Sequence, residues 1–299
     1  MCSSDLWNIA QTVTVSGVDD LVYDGNKAYT VVLAAAGSGD AAYNGLNPND
    51  LAVTNVDNEP PPPTKFFVVN DGAPDRTYEY DAAGTAIENY TIATANSAPR
   101  GVVSATDGKT IWVVDKNRNV YVYDDAGVLQ GSWTAGTLGS GATVEGIATD
   151  GTHIWIVDSK SDKVFYYADA ALRRSGTQAA ASFALGSGNT NPKDLVYGKD
   201  ASNNGYLWVV NDATTDRVFR YSVNSGTGAI ALLNSWNLNA NNKSPTGITL
   251  DPGATSGDLW VVDNGTTKQV FKYTGGRDIT GSTAPVSAAL FPQIGRAHV

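Results

Sequence analysis

A four-residue phrase, an aromatic, two β-branched residues and then Asp or Asn, occurs five times in the chain: Phe67-Val68-Val69-Asn70, Trp112-Val113-Val114-Asp115, Trp155-Ile156-Val157-Asp158, Trp208-Val209-Val210-Asn211 and Trp260-Val261-Val262-Asp263. Successive copies start 45, 43, 53 and 52 residues apart. From 11 to 13 residues after each leading aromatic, a Tyr closes an alternating run: Tyr80, Tyr123, Tyr167, Tyr221 and Tyr273. A short strand opened by a turn precedes copies two to five, at Pro99–Val103, Val144–Ala148, Pro192–Val196 and Pro245–Thr249. Several Gly-punctuated β runs per repeat, at a period of this length, predict an all-β fold of the β-propeller class.

Side-chain alternation points the same way. In Ile111-Trp112-Val113-Val114-Asp115 both faces of the strand are apolar, so the sheet is covered on both sides rather than half wet. Blades packed face to face around an axis meet that condition. An ordinary β-sandwich would need the five repeats to be coincidence.

Composition sets outer limits. Of the 299 residues, 42% are hydrophobic and 17% charged, a globular profile. A net charge of −10 argues against nucleic acid and anionic membrane as partners. No apolar run approaches the roughly 20 residues of a membrane span, so no membrane insertion is expected. Cys2 is the only cysteine, which excludes an internal disulfide and says little about redox compartment.

Both termini read as sequencing scars. Codons can be chosen for Cys2–Leu6 and Ile294–Val299 so that part of one is the reverse complement of the other, as an adapter read at both ends of an insert would give. Residues 1–6 and 294–299 are therefore set aside from fold reasoning, like a tag, and the chain is expected to be an excerpt of a longer protein. Residues 7–58 form a separate region with expected strands at Thr12–Ser16, Ala28–Leu33 and Leu51–Asn55. The string from Thr12 through Asp19-Asp20 and Tyr43-Asn44-Gly45-Leu46-Asn47-Pro48 to Asp57 resembles the last strands of Calx-beta-like modules in large bacterial surface proteins. A partial β-sandwich follows from that resemblance, with Asp19, Asp20 and Asp57 as the acids to watch for calcium; solvated turn acids are the plainer reading. Residues 59–64, with four successive prolines, are a semi-rigid linker.

The propeller is assigned to 65–293. Blade one opens directly on the Phe67 strand and so contributes three strands; blades two to five contribute four each, ending near Phe291. A five-bladed ring of four-stranded blades then lacks one strand, the innermost of blade one, which residues beyond Gln293 are expected to supply. A sixth blade in further sequence is the alternative. The string Pro245-Thr246-Gly247-Ile248-Thr249-Leu250-Asp251, followed by Asp258–Asp263 and Gln269–Tyr273, resembles the NHL propeller repeat. That resemblance implies a fold that serves ligand binding, scaffolding and some lyases, and does not choose among them.

Two rings of polar residues are candidate sites. Asn70, Asp115, Asp158, Asn211 and Asp263 end the five phrases, where Asn or Asp bonds its own backbone two residues on; capping is expected there, not metal binding. At the start of the inner strands, on the same face, Arg100, Glu145, Lys193 and Asp194 would line the channel mouth. Lactonase-type propellers hold a divalent cation at comparable places, which makes Glu145 and Asp194 the weak metal candidates. Neutralisation by Arg100 and Lys193 in a surface-rim ion pair is the preferred account. His153, in the hairpin before Trp155, is an isolated loop histidine expected to be solvated. Trp112, Trp155, Trp208 and Trp260 recur at one position, and with Trp133 and Trp236 are expected to be inter-blade core rather than a sugar platform. No triad spacing, CxxC, HExxH or phosphate loop is present, and no catalytic residue is assigned.

The sequence thus points to a non-enzymatic binding or scaffold propeller of a large extracellular or cell-surface bacterial protein, acting in adhesion or ligand binding, with a protein or glycan as its ligand. No cofactor is expected, calcium being the cation to test. The alternative is an NHL-like enzyme, a lyase or divalent-metal lactonase, with its site at the channel mouth.

Overall fold

A strand with two apolar faces is stable only between two other sheets, and the fold supplies them in a closed ring. The computed structural model describes residues 12–18, 26–56, 65–81, 84–200, 202–250, 257–266, 268–292 and 297–298. The chain divides into two units, Met1–Pro63 and Thr64–Val299.

In the first unit β1 (Lys27–Val31) pairs antiparallel with β2 (Leu51–Asn55). The register sets Tyr29 opposite Val53 and Val31 opposite Leu51, so one face of this small sheet is apolar. The expected strand at Thr12–Ser16 is not formed; those residues are exposed and have no ladder partner. Asp19, Asp20, Asp57 and the linker at 59–64 lie outside the described residues.

The second unit is a five-bladed propeller. Blade one contains β3 (Lys65–Asn70), β4 (Arg76–Asp81) and β5 (Ala86–Thr91). Blade two contains β6 (Pro99–Ser104), β7 (Thr110–Asp115), β8 (Asn119–Asp124) and β9 (Leu129–Ala135). Blade three is built from β10 (Val144–Thr149), β11 (Ile154–Asp158) and β12 (Lys163–Tyr167), then, after the short β13 (Thr177–Gln178), β14 (Ala181–Ala184). Blade four is β15 (Pro192–Lys199), β16 (Gly205–Asn211), β17 (Arg217–Val223) and β18 (Ile230–Asn237). Blade five is β19 (Pro245–Leu250), β20 (Leu259–Asp263), β21 (Gln269–Tyr273) and β22 (Ser287–Pro292). The innermost strand of blade one is β23 (Ala297–His298), which pairs with Val69 and Asn70 of β3. It comes from beyond Gln293, as the strand count requires, and from residues that the sequence reading had set aside.

The five phrases are β3, β7, β11, β16 and β20, each second from the axis where an inner strand is present. Their alternation sends the aromatic and the third residue toward the next blade, and the second residue toward the previous one. Trp208 and Val210 accordingly pack with Ile248, Val261 and Phe271 of blade five, while Val209 packs with Trp155 and Val157 of blade three. The same arrangement joins blade five to blade one, where Trp260 and Val262 meet Phe66 and Val68. Trp133 and Trp236 sit in inter-blade clusters as expected. The recurring Tyr has its own task in blades two, four and five. The hydroxyls of Tyr123, Tyr221 and Tyr273 accept from the side-chain amides of Asn96, Asn189 and Asn242, which tethers the loop leading into each blade.

One strand changes blades. β13 leaves blade three and pairs in parallel with β9, the outermost strand of blade two. Outer edges present unpaired backbone groups that invite association; here part of one is covered from within the chain.

Candidate functional site at the channel mouth

The inner strands β6, β10, β15 and β19 share a β-bulge directly after their first residue. Their first residues pair with the last residue of the neighbouring phrase: Pro99 with Asp115, Val144 with Asp158, Pro192 with Asn211 and Pro245 with Asp263. The second residues, Arg100, Glu145, Lys193 and Thr246, are the extra ones. A bulge leaves such a residue out of the ladder and re-aims its side chain, which brings this set to the mouth.

The third residues resume the ladder where adjacent inner strands nearly touch. They are Gly101, Gly146, Asp194 and Gly247. A Cβ added to Gly101 would come within 2.9 Å of the Gly146 Cα, and one added to Gly146 would strike the Asp194 carboxylate. Asp194 is therefore not a rim residue: among β6, β10, β15 and β19 it stands where the other three strands have glycine. It is fully buried. Its Oδ1 accepts from the Leu195 amide at 2.8 Å, and its Oδ2 crosses to blade five to accept from the Ile248 amide at 3.0 Å. Burial pushes its carboxyl well above the usual range, against the amide bonds that favour the charged form.

At the mouth itself, Lys193 Nζ lies 3.2 Å from Glu145 Oε1, which also accepts from the Ser159 hydroxyl at 2.9 Å. The Glu145–Lys193 ion pair joins blades three and four. Arg100 does not turn to Glu145; its Nη1 pairs with Asp71 Oδ2 of blade one at 2.8 Å. Asp71 and Ser159 were not singled out from the sequence. The signal was available, because both directly follow a phrase, as does Asp212, whose carboxyl is raised by burial and lowered by the charge of Lys193.

The expected cap on the backbone two residues on is seen at Asp115 and Asp158; Asp263 and Asn211 accept from other amides, and the buried Asn70 Oδ1 has no partner among the described residues. Asp115 accepts from the Asn117 amide two residues on and from the Ala98 amide; Asp158 accepts from Lys160 and Thr143 in the same manner. Asp263 accepts from Lys243 and Ser244, and Asn211 from Arg217. The bonds to Ala98, Thr143, Lys243 and Ser244, with those that Asn211 Nδ2 donates to Gly188 O and Thr190 O, tie each of these phrases to the approach to its inner strand, which fixes the bulge above. Among the described residues no three His, Cys, Asp or Glu side chains come together to hold a metal ion.

The opposite face carries a set of pairs that the sequence reading missed. The residue two before each leading aromatic meets the middle residue of the Tyr-closed run on the next strand. Lys65 Nζ lies 2.7 Å from Glu79 Oε2, and Lys272 Nζ 2.5 Å from Asp258 Oδ2. Tyr206 carries the Arg220 guanidinium 4.1 Å above its ring, and His153 sits 5.1 Å from the Tyr166 ring. In blade two the two positions hold Thr110 and Val122. His153 is thus packed rather than solvated. Its Nδ1 accepts from the Asp169 amide at 3.0 Å, which places the ring proton of the neutral form on Nε2.

No family model matches the chain, and neither does any curated protein. Solved structures align with much of the chain at low identity. A nidogen/laminin complex aligns with TM-score 0.48 and 17% identity over 71% of this chain and 74% of that one. The periplasmic gluconolactonase of Pseudomonas aeruginosa aligns with TM-score 0.45 and 15% identity over 78% and 69% of the respective chains. A putative 6-phosphogluconolactonase from Bacteroides uniformis aligns with TM-score 0.45 and 12% identity over 88% and 81%.

Proposed function

We propose that this chain is a non-enzymatic binding or scaffold propeller of a large extracellular bacterial protein, with NHL-like repeats following a Calx-beta-like segment, and that its ligand is a protein or a glycan. The observation that carries this reading is the use made of the mouth acids. Glu145 is bonded to Lys193 and Ser159, and Asp194 to backbone amides of two blades. A divalent ion needs several converging oxygen or nitrogen donors, and here the carboxylates already hold the protein's own donors. The variety of the fold lies at the opposite rim, where one scaffold position carries a different pair in nearly every blade.

Thermal melting of the wild type and of Glu145→Gln, with millimolar calcium and then with chelator, tests the reading. The expected result is no calcium shift that depends on Glu145. A calcium-dependent rise that vanishes in Glu145→Gln, together with turnover of a simple lactone, would replace the proposal by the metal-lactonase alternative.

A further inference from the structure

The connection between the last two strands of a blade is four to six residues in blades one, two and four, but runs through residues 168–180 in blade three and 274–286 in blade five, and that of blade three carries a strand of its own, β13. Long ordered loops in compact domains usually have a task. Part of this one is structural, since β13 covers the β9 edge. Its tip is not: Leu172 is 84% exposed, the highest value for a large apolar side chain in the described propeller.

That exposure is built in. On either side of the tip the chain is fastened down. Ala170 and Ala171 are buried. The Ala171 amide donates to Thr152 O at 3.1 Å, and Ala171 O accepts from Trp112 Nε1 at 3.2 Å and from Arg174 Nη1 at 2.8 Å. Arg174 O accepts from the Ser132 amide at 3.0 Å, which holds the outgoing strand against blade two. Leu172 therefore projects from a backbone that is bonded on both sides. A knob ordered before contact avoids much of the entropy that a mobile loop loses on binding.

The charge around the knob is equally specific. The chain carries ten more acids than bases, yet the tip from Ala170 to Gln178 has two arginines and no acid. Arg173 Nε donates to Gln178 Oε1 at 2.5 Å, and Arg174 spends its bonds on carbonyls. Among the described residues neither has a carboxylate within ion-pair distance. Asp169, the acid on the same loop, lies 3.7 Å from His153 Nδ1. Arginine is the cation that gains most from a partner carboxylate in a drying interface.

We propose that Leu172, flanked by Arg173 and Arg174, is a docking knob for a protein partner that presents an apolar socket edged by carboxylates. This deepens the binding-module reading and rests on it. The test is selection of a random displayed peptide library on the immobilised full chain, followed by solution affinities for wild type, Leu172→Ala and Arg173→Ala, each checked for an unchanged melting temperature. Leu172 is exposed and free to be trimmed, whereas Arg173 is half-buried and bonded to Gln178, so Leu172→Ala carries the test if the melting temperature of Arg173→Ala falls. The expected result is enrichment of peptides that combine apolar and acidic residues, that bind about tenfold more weakly to either variant, and that lose affinity as salt rises. Enriched peptides that bind all three proteins equally, or no enrichment, would overturn the knob while leaving the binding-module reading to its own calcium and lactone test. Self-association of the wild type in sedimentation, abolished by Leu172→Ala, would also overturn it, by making the partner a second copy.

Discussion

The two faces of the propeller use polar residues in opposite ways. At the mouth, bonds run between blades: Arg100 to Asp71, Lys193 to Glu145, and Asp194 to the Ile248 amide. At the opposite rim the pairs themselves run within a blade, Lys65 to Glu79, Arg220 over Tyr206, and Lys272 to Asp258, although Arg220 Nη1 also donates to Ile279 O of blade five at 3.5 Å. The mouth is thus a clasp that holds the ring together, and its composition is constrained by neighbours on both sides. The rim pairs draw both members from one blade, which leaves them freer of their neighbours, although Arg220 also donates to the next blade. That freedom is why the rim can differ from blade to blade while the mouth repeats one plan, and it directs the search for a binding surface away from the channel that propeller enzymes would lead one to examine first.

Substitutions measured by denaturant unfolding can break this contrast. The largest loss belongs to neither face but to the layer between blades: Trp208→Ala is expected to cost about 3–5 kcal/mol, as for other fully buried aromatics. A loss under about 1 kcal/mol would remove the inter-blade core assignment. Next comes Asp194→Asn. The amide keeps the shape but points an N–H at a backbone N–H, and leaving a buried amide unbonded costs about 1–3 kcal/mol.

The pH dependence sharpens that case. The folded-state pKa of Asp194 is raised above its ordinary 3.8, so the folded state binds this proton more tightly than the unfolded one. Its contribution is fully present below 3.8 and is lost as pH rises through the folded value. The wild type should therefore gain on Asp194→Asn as pH falls from neutral toward that range. A difference that stays constant with pH would mean that the carboxylate is charged at no net cost.

Lys272→Met tests the rim. Asp258 is 2% exposed, whereas Lys272 is about one-third exposed. Losing the lysine is expected to cost about 1–2 kcal/mol, less than for a pair buried at both ends, and a double-mutant cycle between Lys272 and the blade-four residue Arg220 should show no coupling. Coupling there would break the within-blade account. The smallest effect is expected for Glu145→Gln, about 1 kcal/mol, because Gln keeps the buried oxygen that accepts from Ser159 and Lys193 and loses only the charge.

The depth of Asp194 shows how far sequence reading reaches and where it stops. Aligned by repeat, Asp194 stands in the column of Gly101, Gly146 and Gly247, so its place at the point of closest approach was readable. Counting from the start of the strand, which puts it beside Lys193 at the rim, missed the bulge. Arg100 is a harder case. Nothing local says whether it turns to Glu145 of blade three or to Asp71 of blade one, since both are available from neighbouring blades.

The sequence by itself determined the blade: the period, the four strands, the Trp and Val that face the next blade, and the caps at Asp115 and Asp158. These follow from alternation and turn chemistry, which act over a few residues and repeat with them. The strand count also called for closure of blade one from beyond Gln293; only the tertiary structure decided which charges pair across blades, that residues 168–180 would lay a strand on the edge of blade two, and that Ala297–His298 would be the closing pair. Each of these is a contact between segments far apart in the chain, set by the curvature of the ring and the register of its bulges, and no local pattern records it.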